Sequence, residues 1–258
     1  MLFETNKNKF FQNYAKTTGV VMTYLISEID DFKGTVYLDN QNRCFISINY
    51  GAGQVITVFQ TYNLDLYNEL INMFPNVTSI HFTHNGYISN EFVTNYLGYH
   101  YKFQGILNSE IIMNPLPFVI RTINENDVEL AKQYDNLYLN NLRPNHGARM
   151  TNQINRKSLK SGDMKIYFAI IDNIPIGFIL IYHYKEYFAW DIAQITIEKE
   201  YQQKGYGAAF LTEVTKDNLK QKYSLYYSGV SAGNIASRKT AEKAGYLIVS
   251  SKMCVNVE

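Results

Sequence analysis

The chain has 258 residues, of which 46% are hydrophobic and 18% charged, and its formal net charge is +1. This length allows one large domain or two ordinary ones, and the hydrophobic content supports a packed core and excludes a disordered chain. A net charge so close to zero provides no general attraction for nucleic acid or for an anionic membrane.

The chain shows no sign of export or membrane insertion. Its first ten residues, MLFETNKNKF, contain lysines but no following apolar run, so we expect no secretory signal. The longest apolar stretch, 174–182, is interrupted by Pro175 and Gly177 and is far shorter than the ~20 residues of a membrane span. Cys44 and Cys254 lack metal-ligand spacing and are expected to be reduced thiols. These features predict a soluble, cytoplasmic protein.

The first 114 residues have the pattern of an α+β domain. Strands are predicted at 34–39, 44–49, 55–61, 77–84 and 101–112, and helices at 63–74 and 90–99. The sequence GAG at 51–53 separates two strands and is predicted to be a hairpin turn. Only TYN, at 61–63, lies between the sequence VITVFQ and the helical sequence LDLYNELINMF, so this half has no glycine loop to hold a phosphate.

Pro115 and Pro117 mark a linker, and we place a domain boundary there, between residues 1–114 and residues 115–258. Beyond it, strands are predicted at 118–123, 165–172, 174–184, 186–198, 224–231 and 246–257, and helices at 124–142, 149–162, 206–223 and 234–245. The strands at 165–172 and 174–184 should form a hairpin that turns at Asp172 and Asn173. Strands alternating with helices late in the chain predict a mixed sheet with helices on both faces.

The two halves share the predicted order β-β-β-α-β-α-β. Each half also contains a helix that ends in Gly-Tyr and runs into a strand, at Gly98 and at Gly245, and Gly245 is a predicted C-cap. We interpret this similarity as a degenerate internal duplication. The alternative is coincidence, because a helix, a glycine, an aromatic residue and a strand form a common joint.

The sequence YQQKGYG, at 201–207, lies between a predicted strand and a predicted helix. Gly205 and Gly207 lack the Cβ that would keep a ligand from the backbone, and the amides from Gln203 to Ala208 open the helix. A pyrophosphate is a suitable ligand for such a helix N-terminus, and Lys204 adds a positive charge. The alternative is a tight turn without a ligand. The spacing fits neither a dinucleotide-binding fingerprint nor a P-loop.

The sequence QQKGYG, preceded by ITIEKEY and followed by NIASRKTAEKAGY, resembles the GNAT family of N-acetyltransferases over about 118–258, a typical domain length. The family pattern Gln/Arg-x-x-Gly-x-Gly/Ala is met by Gln202, Gly205 and Gly207, and its later helix-opening asparagine by Asn234. The resemblance implies an α/β GNAT fold with a mixed sheet, here preceded by a smaller α+β domain that is a degenerate GNAT-like half in the duplication hypothesis. The AEKAGY ending and the extra domain also resemble the group that includes the zwittermicin-resistance acetyltransferase.

The resemblance implies acetyl-CoA as the acyl donor. Its pyrophosphate would lie on the loop formed by Gln202, Gln203, Lys204, Gly205, Tyr206, Gly207 and Ala208. Its pantetheine arm would follow the strand at Ile195, Thr196 and Ile197. Asn234 and Ser237 would face the cofactor, although Asn234 has the alternative role of a simple helix N-cap.

The resemblance also implies a proton acceptor for the amine that is acetylated. Asp191, eleven positions before Gln202, is the candidate, with Glu186 and Glu198 as weaker alternatives. The position at which many relatives carry a tyrosine as general acid is Ala241 here. Ser237 and Tyr246 lie close to it in sequence but have no role that the sequence assigns.

We therefore predict an N-acetyltransferase that acts on a small-molecule amine by direct attack in a ternary complex. The alternative is a non-catalytic sensor that binds CoA or acyl-CoA and has lost its general acid. No nucleic-acid or membrane partner is expected, because the net charge is close to zero. No metal is expected either, because His81 and His84, three apart on a strand, should face opposite ways. A homodimer is compatible with the sequence, and the N-terminal half would shape the acceptor pocket or a dimer contact.

Overall fold

The computed structural model describes the chain in eleven segments. These are residues 2–4, 34–39, 43–49, 53–59, 63–85, 100–105, 115–134, 154–184, 189–220, 225–231 and 234–257. The predicted helix at 90–99 and the candidate base Glu186 lie outside the described residues.

The described segments contain the following strands and helices in chain order. The strands are β1 Leu2–Glu4, β2 Thr35–Asp39, β3 Cys44–Asn49, β4 Gln54–Val58, β5 Val77–Asn85, β6 His100–Gly105, β7 Val119–Ile123, β8 Met164–Ile171, β9 Ile174–Tyr184, β10 Ala189–Ile197, β11 Leu225–Ser231 and β12 Tyr246–Asn256. The labelled helices are α1 Leu64–Met73, α2 Arg156–Ser161, α3 Tyr206–Lys220 and α4 Ile235–Lys243. Residues 128–134 are also helical. Every described predicted strand forms, and β1 is an additional one.

The chain forms two compact units. The first comprises 1–104, 229–235 and 248–258, and the second comprises 105–228 and 236–247. The predicted boundary at residue 115 separates two domains that would each fold independently, and this stays a prediction.

The first unit contains an antiparallel series of strands from β1 to β4. Helix α1 then connects β4 to β5, which run parallel, and β12 pairs antiparallel with β5. Asn63 is the N-cap of helix α1, and its side chain accepts a hydrogen bond of 2.8 Å from the amide of Leu66. Leu66 and Leu70, one turn apart, bury the helix against the unit.

The second unit repeats this plan. Strands β7 to β10 are antiparallel neighbours, and α3 connects β10 to the parallel strand β11. Asp172 and Asn173 have φ values of 50° and 63°, as a two-residue β-hairpin turn of type I′ requires. The predicted hairpin is therefore confirmed. The shared plan is consistent with an internal duplication, which stays a prediction.

One face of the second unit's sheet carries an apolar cluster. Its members are Ile123, Val128, Ala131, Ile154, Met164, Ile166, Phe168, Phe178 and Leu180. They come from the strands, from the helical residues 128–134 and from the segment before α2, so these elements cover this face. On the opposite face the Tyr167 hydroxyl meets the Asp217 carboxylate of α3 at 3.0 Å.

Candidate active site

A β-bulge interrupts β10 in its middle. Asp191 and Ile192 pair with consecutive residues of β9, but the next pair joins Gln194 to Leu180, which leaves Ala193 as an extra residue. A bulge bends its strand and increases the local twist. Strand β10 therefore changes direction at Ala193.

The bulge coincides with the end of pairing between β10 and β11. These parallel strands pair only from Ala189↔Leu225 to Asp191↔Tyr227, and residues 192–197 of β10 continue beyond the last pair. In the first unit the corresponding strands, β4 and β5, stay paired to Val58, the final residue of β4, after a register shift between Gln54 and Val55. Parted parallel strands are thus a feature of the second unit among the described residues. Such a gap leaves backbone groups of β10 available to an extended ligand.

A structured loop joins β10 to α3. The Gln202 side chain donates a hydrogen bond of 2.8 Å to the carbonyl of Ile197, the last residue of β10. Gln203 and Gly205 both have positive φ, 62° and 81°, so the backbone turns sharply twice within three residues. The glutamine of the sequence pattern consequently has a structural role, because it ties the loop to the strand.

The amides that open α3 are not used by the described parts of the chain. The first backbone bond of the helix runs from the amide of Ala209 to the carbonyl of Gly205, at 3.1 Å. For the amides from Gln203 to Ala208 the described residues provide no acceptor, and the first turn contains no acidic side chain. A helix N-terminus with open amides and a positive dipole end attracts an anion.

The two glycines of the loop meet different surroundings. A Cβ added to Gly205 would have no heavy atom of the described residues within 4 Å, so Gly205 borders open space in this part of the structure. A Cβ on Gly207 would lie 3.3 Å from the Thr240 side chain and 3.6 Å from that of Ile197. Gly207 therefore allows α3 to approach α4 and β10 closely, whereas Gly205 leaves the loop open.

Aromatic side chains flank the loop. The Lys204 ammonium lies 5.2 Å from the centre of the Tyr201 ring, and the Tyr201 and Tyr206 rings stack at 6.4 Å. Phe118 contacts Tyr206 edge to face at 5.7 Å. Sequence analysis assigned no role to Tyr201 or Phe118. Their aromatic character alone could not reveal a supporting role, because this composition contains 22 tyrosines and 15 phenylalanines.

Three polar residues of β10 share one face of the sheet. Paired residues on neighbouring strands point to the same side, and Asp191, Gln194 and Thr196 pair with Tyr182, Leu180 and Phe178 respectively. Without the bulge, Asp191 and Gln194 would face opposite sides. Gln194 is 9% exposed and Thr196 is 8% exposed. One carboxylate oxygen of Asp191 is buried as well.

The alternative acid Glu198 is associated with Tyr134. Burial first, and then the Glu198 carboxylate, raise the pKa of the Tyr134 hydroxyl, which donates a 2.8 Å hydrogen bond to the Pro175 carbonyl. Glu198 follows the last residue of β10, and its amide bonds to the Ile176 carbonyl at 2.8 Å. Its place is beside the start of the loop.

Of the residues singled out in and beside α4, two are half-buried and two are buried. Asn234 directly precedes α4 and Ser237 lies in its first turn, and both are half-buried. Ala241 is 4% exposed, so its side chain faces the interior. The Tyr246 hydroxyl lies 2.6 Å from the Thr215 hydroxyl of α3 and is buried. Tyr246 therefore connects α4 to α3, which is a structural role.

Two of the described histidines, His183 and His81, have structural surroundings. His183 is buried, with its ring nitrogens 2.8 Å from the Gly162 carbonyl and 3.0 Å from Asn218 Oδ1. His81 pairs with Cys254 across β5 and β12. In the part of the chain that the structure describes, no three metal-binding side chains come together.

Part of the sequence is similar to a known protein family. Residues 131–246 match the model of the acetyltransferase (GNAT) family. No curated protein matches the sequence. The narrower resemblance to the zwittermicin-resistance group stays a prediction.

Solved structures share the fold. A GNAT-family acetyltransferase from Colwellia psychrerythraea superposes with a TM-score of 0.60 at 11% identity, covering 100% of both chains. A conserved protein of unknown function from Bacteroides thetaiotaomicron gives 0.51 at 9% identity over 100% of both chains. A functionally unknown protein from Staphylococcus epidermidis gives 0.51 at 14% identity, covering 89% of this chain and 98% of its own. The predicted α/β GNAT fold with a mixed sheet is confirmed. None of the described helices is long and apolar enough to cross a membrane.

Proposed function

We propose that the chain is an N-acetyltransferase that transfers an acetyl group from acetyl-CoA to a small-molecule amine, because residues 131–246 match the model of the acetyltransferase (GNAT) family. One observation carries this proposal. Strands β10 and β11 part at Asp191, and β10 then leads into a helix N-terminus whose amides are open. An extended ligand that ends in a pyrophosphate has a complementary shape and charge.

The chain's own groups fit the parts of acetyl-CoA. Amides from Gln203 to Ala208 would bind the pyrophosphate, and the open space beside Gly205 leaves room for it. The Gln202 amide bonds to the Lys199 carbonyl, so Gln202 would support the loop through its side chain instead. The exposed Lys204 is within reach to add charge. Backbone groups at Ile195, Thr196 and Ile197 would pair with the pantetheine amides. Asn234 and Ser237 would face the cofactor from α4. Bound acetyl-CoA would supply the acetyl group as an activated thioester.

Asp191 is the proposed general base. It lies at the last pair before the strands part, so its carboxylate borders the gap. Asp191 accepts the proton that the acceptor ammonium must lose before its nitrogen can attack the acyl carbon. Backbone N–H groups of β10 beyond the bulge donate to the carbonyl oxygen as negative charge develops there. In the reaction a C–N bond would replace the C–S bond, the acylated nitrogen would lose its second proton to water, and the sulfur would leave as a thiolate.

No side chain of α4 is assigned as general acid. Ala241 has no titratable group, and the Tyr246 hydroxyl is engaged with Thr215. In this proposal the thiolate departs without a dedicated donor and takes its proton from water.

Calorimetric titration with acetyl-CoA tests the proposal. We expect binding of one equivalent at sub-millimolar concentration, followed by thiol release when an amine panel is added. An absence of binding by the intact protein at sub-millimolar ligand would end the proposal.

Replacement of Asp191 by Asn tests the proposed base. We expect Asp191→Asn to lower kcat by about 100-fold or more, the usual contribution of a general base. The dissociation constant for acetyl-CoA should change by about twofold or less, because the carboxylate contacts the amine rather than the cofactor. An equal loss of turnover and cofactor affinity would assign Asp191 a structural role.

The second candidate function is a sensor that binds CoA or acyl-CoA without turnover. The buried Ala241 favours it, since the position of the usual acid contributes only packing. Binding without thiol release across polyamines, amino-acid amines and aminoglycosides would support the sensor. The cytoplasmic location and the homodimer stay predictions.

A further inference from the structure

Two buried polar groups of β10 have no hydrogen-bond partner. In the part of the chain that the structure describes, nothing bonds to the amide nitrogen of Gln194 or to the hydroxyl of Thr196. Both residues are more than nine-tenths buried. A buried donor without a partner destabilises a protein by about 1–3 kcal/mol, so such groups persist where something else completes them.

These two groups lie beside the gap between the parted strands. Both belong to the segment 192–197, which has no pair on the β11 side. On the β9 side their partners are Leu180 and Phe178, which belong to the apolar cluster. Their polar atoms are therefore set in an otherwise apolar surface that borders the proposed site.

Other buried threonines of the same unit show what a structural hydroxyl looks like. Thr212 donates to the Ala208 carbonyl at 2.9 Å, and Thr215 donates to the Leu211 carbonyl at 2.7 Å. Each of these hydroxyls donates its hydrogen bond to a backbone carbonyl of its own helix. Thr196 lies on a strand and has no such carbonyl, so its hydroxyl remains available to a ligand.

We propose that Gln194 and Thr196 select an acceptor amine that also carries a hydrogen-bond-accepting oxygen, such as a carbonyl or hydroxyl group. This inference rests on the proposed function. The bulge sets Asp191, Gln194 and Thr196 in one row, with neighbours roughly 7 Å apart from the rise of a strand. The ammonium lies at Asp191, and the oxygen accepts hydrogen bonds from the Gln194 amide and the Thr196 hydroxyl. A simple alkylamine leaves both donors unpaired and is a poorer acceptor.

The pantetheine arm also carries amide oxygens that could accept these bonds. The experiment must therefore separate the acceptor from the cofactor. The variants Gln194→Met and Thr196→Val remove the donors and keep similar volumes. Thr215→Val is the matched control, because its hydroxyl has partners inside the protein.

Thermal unfolding without ligand is the first measurement. Thr196→Val should leave the melting temperature unchanged or raise it, because no hydrogen bond is lost. Thr215→Val should lower the melting temperature. A similar decrease in both variants would show that the Thr196 hydroxyl has a structural partner and would overturn the inference.

Acetyl-CoA affinity and acceptor kinetics are the second measurement. The acceptors are an aminoalkyl amide and the alkylamine of the same chain length. We expect wild type to prefer the amide, and Gln194→Met and Thr196→Val each to lower kcat/KM for the amide by about tenfold, which corresponds to one hydrogen bond to a buried group. In Gln194→Met, which lies outside the proposed cofactor-binding residues, kcat/KM for the alkylamine and the dissociation constant of acetyl-CoA should change by about twofold or less.

The outcomes separate the two proposals. If wild type binds no acetyl-CoA, the proposed function fails and the inference falls with it. If wild type acetylates both acceptors equally well, only the inference fails. If the variants weaken acetyl-CoA binding as much as they affect the amide, the oxygen belongs to the pantetheine arm and the acceptor inference is wrong.

Discussion

At the scale of single residues, Gly205 and Gly207 have different surroundings, although the sequence pattern gave both the same role of leaving the backbone accessible to a ligand. Gly207 favours close packing, because a Cβ would lie 3.3 Å from the Thr240 side chain, which would have to shift. Gly205 has a positive φ and open space around it. The pattern of glycines was visible in the sequence, but the difference between them depends on what α4 brings to the loop.

Replacement of Gly205 by Asp should weaken binding of acetyl-CoA. The new carboxylate would repel the pyrophosphate from the open amides, and we expect a loss of affinity of about tenfold or more, as for a charge–charge effect of about 1.4 kcal/mol. Calorimetric titration measures this loss.

Gly162→Asp is the matched control. Gly162 has a φ of 75° and, like Gly205, no heavy atom near an added Cβ, but it ends α2 instead of opening a helix. Both variants strain the backbone by about 1–2 kcal/mol. Equal acetyl-CoA affinity in the two variants would remove the loop from the proposed site.

A buried polar network holds α3 against the sheet, and sequence analysis did not predict it. Asn218 donates to the Tyr167 hydroxyl at 2.9 Å and to the Val214 carbonyl at 2.8 Å, and its oxygen faces His183 at 3.0 Å. Burial and the Asp217 carboxylate raise the pKa of Tyr167, so its hydroxyl stays protonated and donates. Residues more than thirty positions apart meet here, which no local pattern indicates.

Replacement of Asn218 by Leu should destabilise the protein markedly. It leaves polar groups of Tyr167 and His183 without their buried partner, and we expect a decrease of about 2–4 kcal/mol in the free energy of unfolding. Urea denaturation measures it. Glu213→Gln on the same helix disrupts only the part-exposed pair with Lys216 and should cost less than about 1 kcal/mol. Similar decreases in both variants would contradict the importance of the network.

At the scale of elements, sequence patterns predicted most strands and helices but not the β-bulge beside the proposed site. The hairpin at Asp172 and Asn173 is encoded locally, because these residues tolerate positive φ. The bulge at Ala193 is not, because alanine has no special preference for it. Its position becomes visible only when β10 is paired with β9.

Deletion of Ala193 should remove the proposed groove while keeping the sheet. Without the extra residue, β10 can pair regularly with β9, so the bend that accompanies the bulge would be lost. Asp191 and Gln194 would then be two positions apart and would keep their common face. We expect circular dichroism to remain close to that of wild type and acetyl-CoA binding to be lost in calorimetry. Ala193→Gly keeps the residue count and should retain binding. Normal binding by the deletion variant would show that the bulge does not form the groove.

At the scale of the whole molecule, the end of the chain belongs to the first compact unit. Strand β12 pairs with β5 from Ser250↔Asn85 to Asn256↔Ser79, and Ser251 and Met253 are buried. The amino-acid pattern predicted this strand, but its partner could not be read from the sequence because strand pairing over such a separation has no local signal. The division at residue 115 separates β12 from β5.

Separate expression of residues 115–258 tests this consequence. We expect the fragment to be less stable than the intact chain or insoluble, because β12 loses β5 and exposes unpaired backbone and apolar side chains. Co-expression with residues 1–114 should restore soluble protein that elutes as a complex in gel filtration. A fragment that is soluble alone, unfolds cooperatively and binds acetyl-CoA as the intact chain does would show that the predicted domain is independent and that the pairing of β12 with β5 contributes little to its stability.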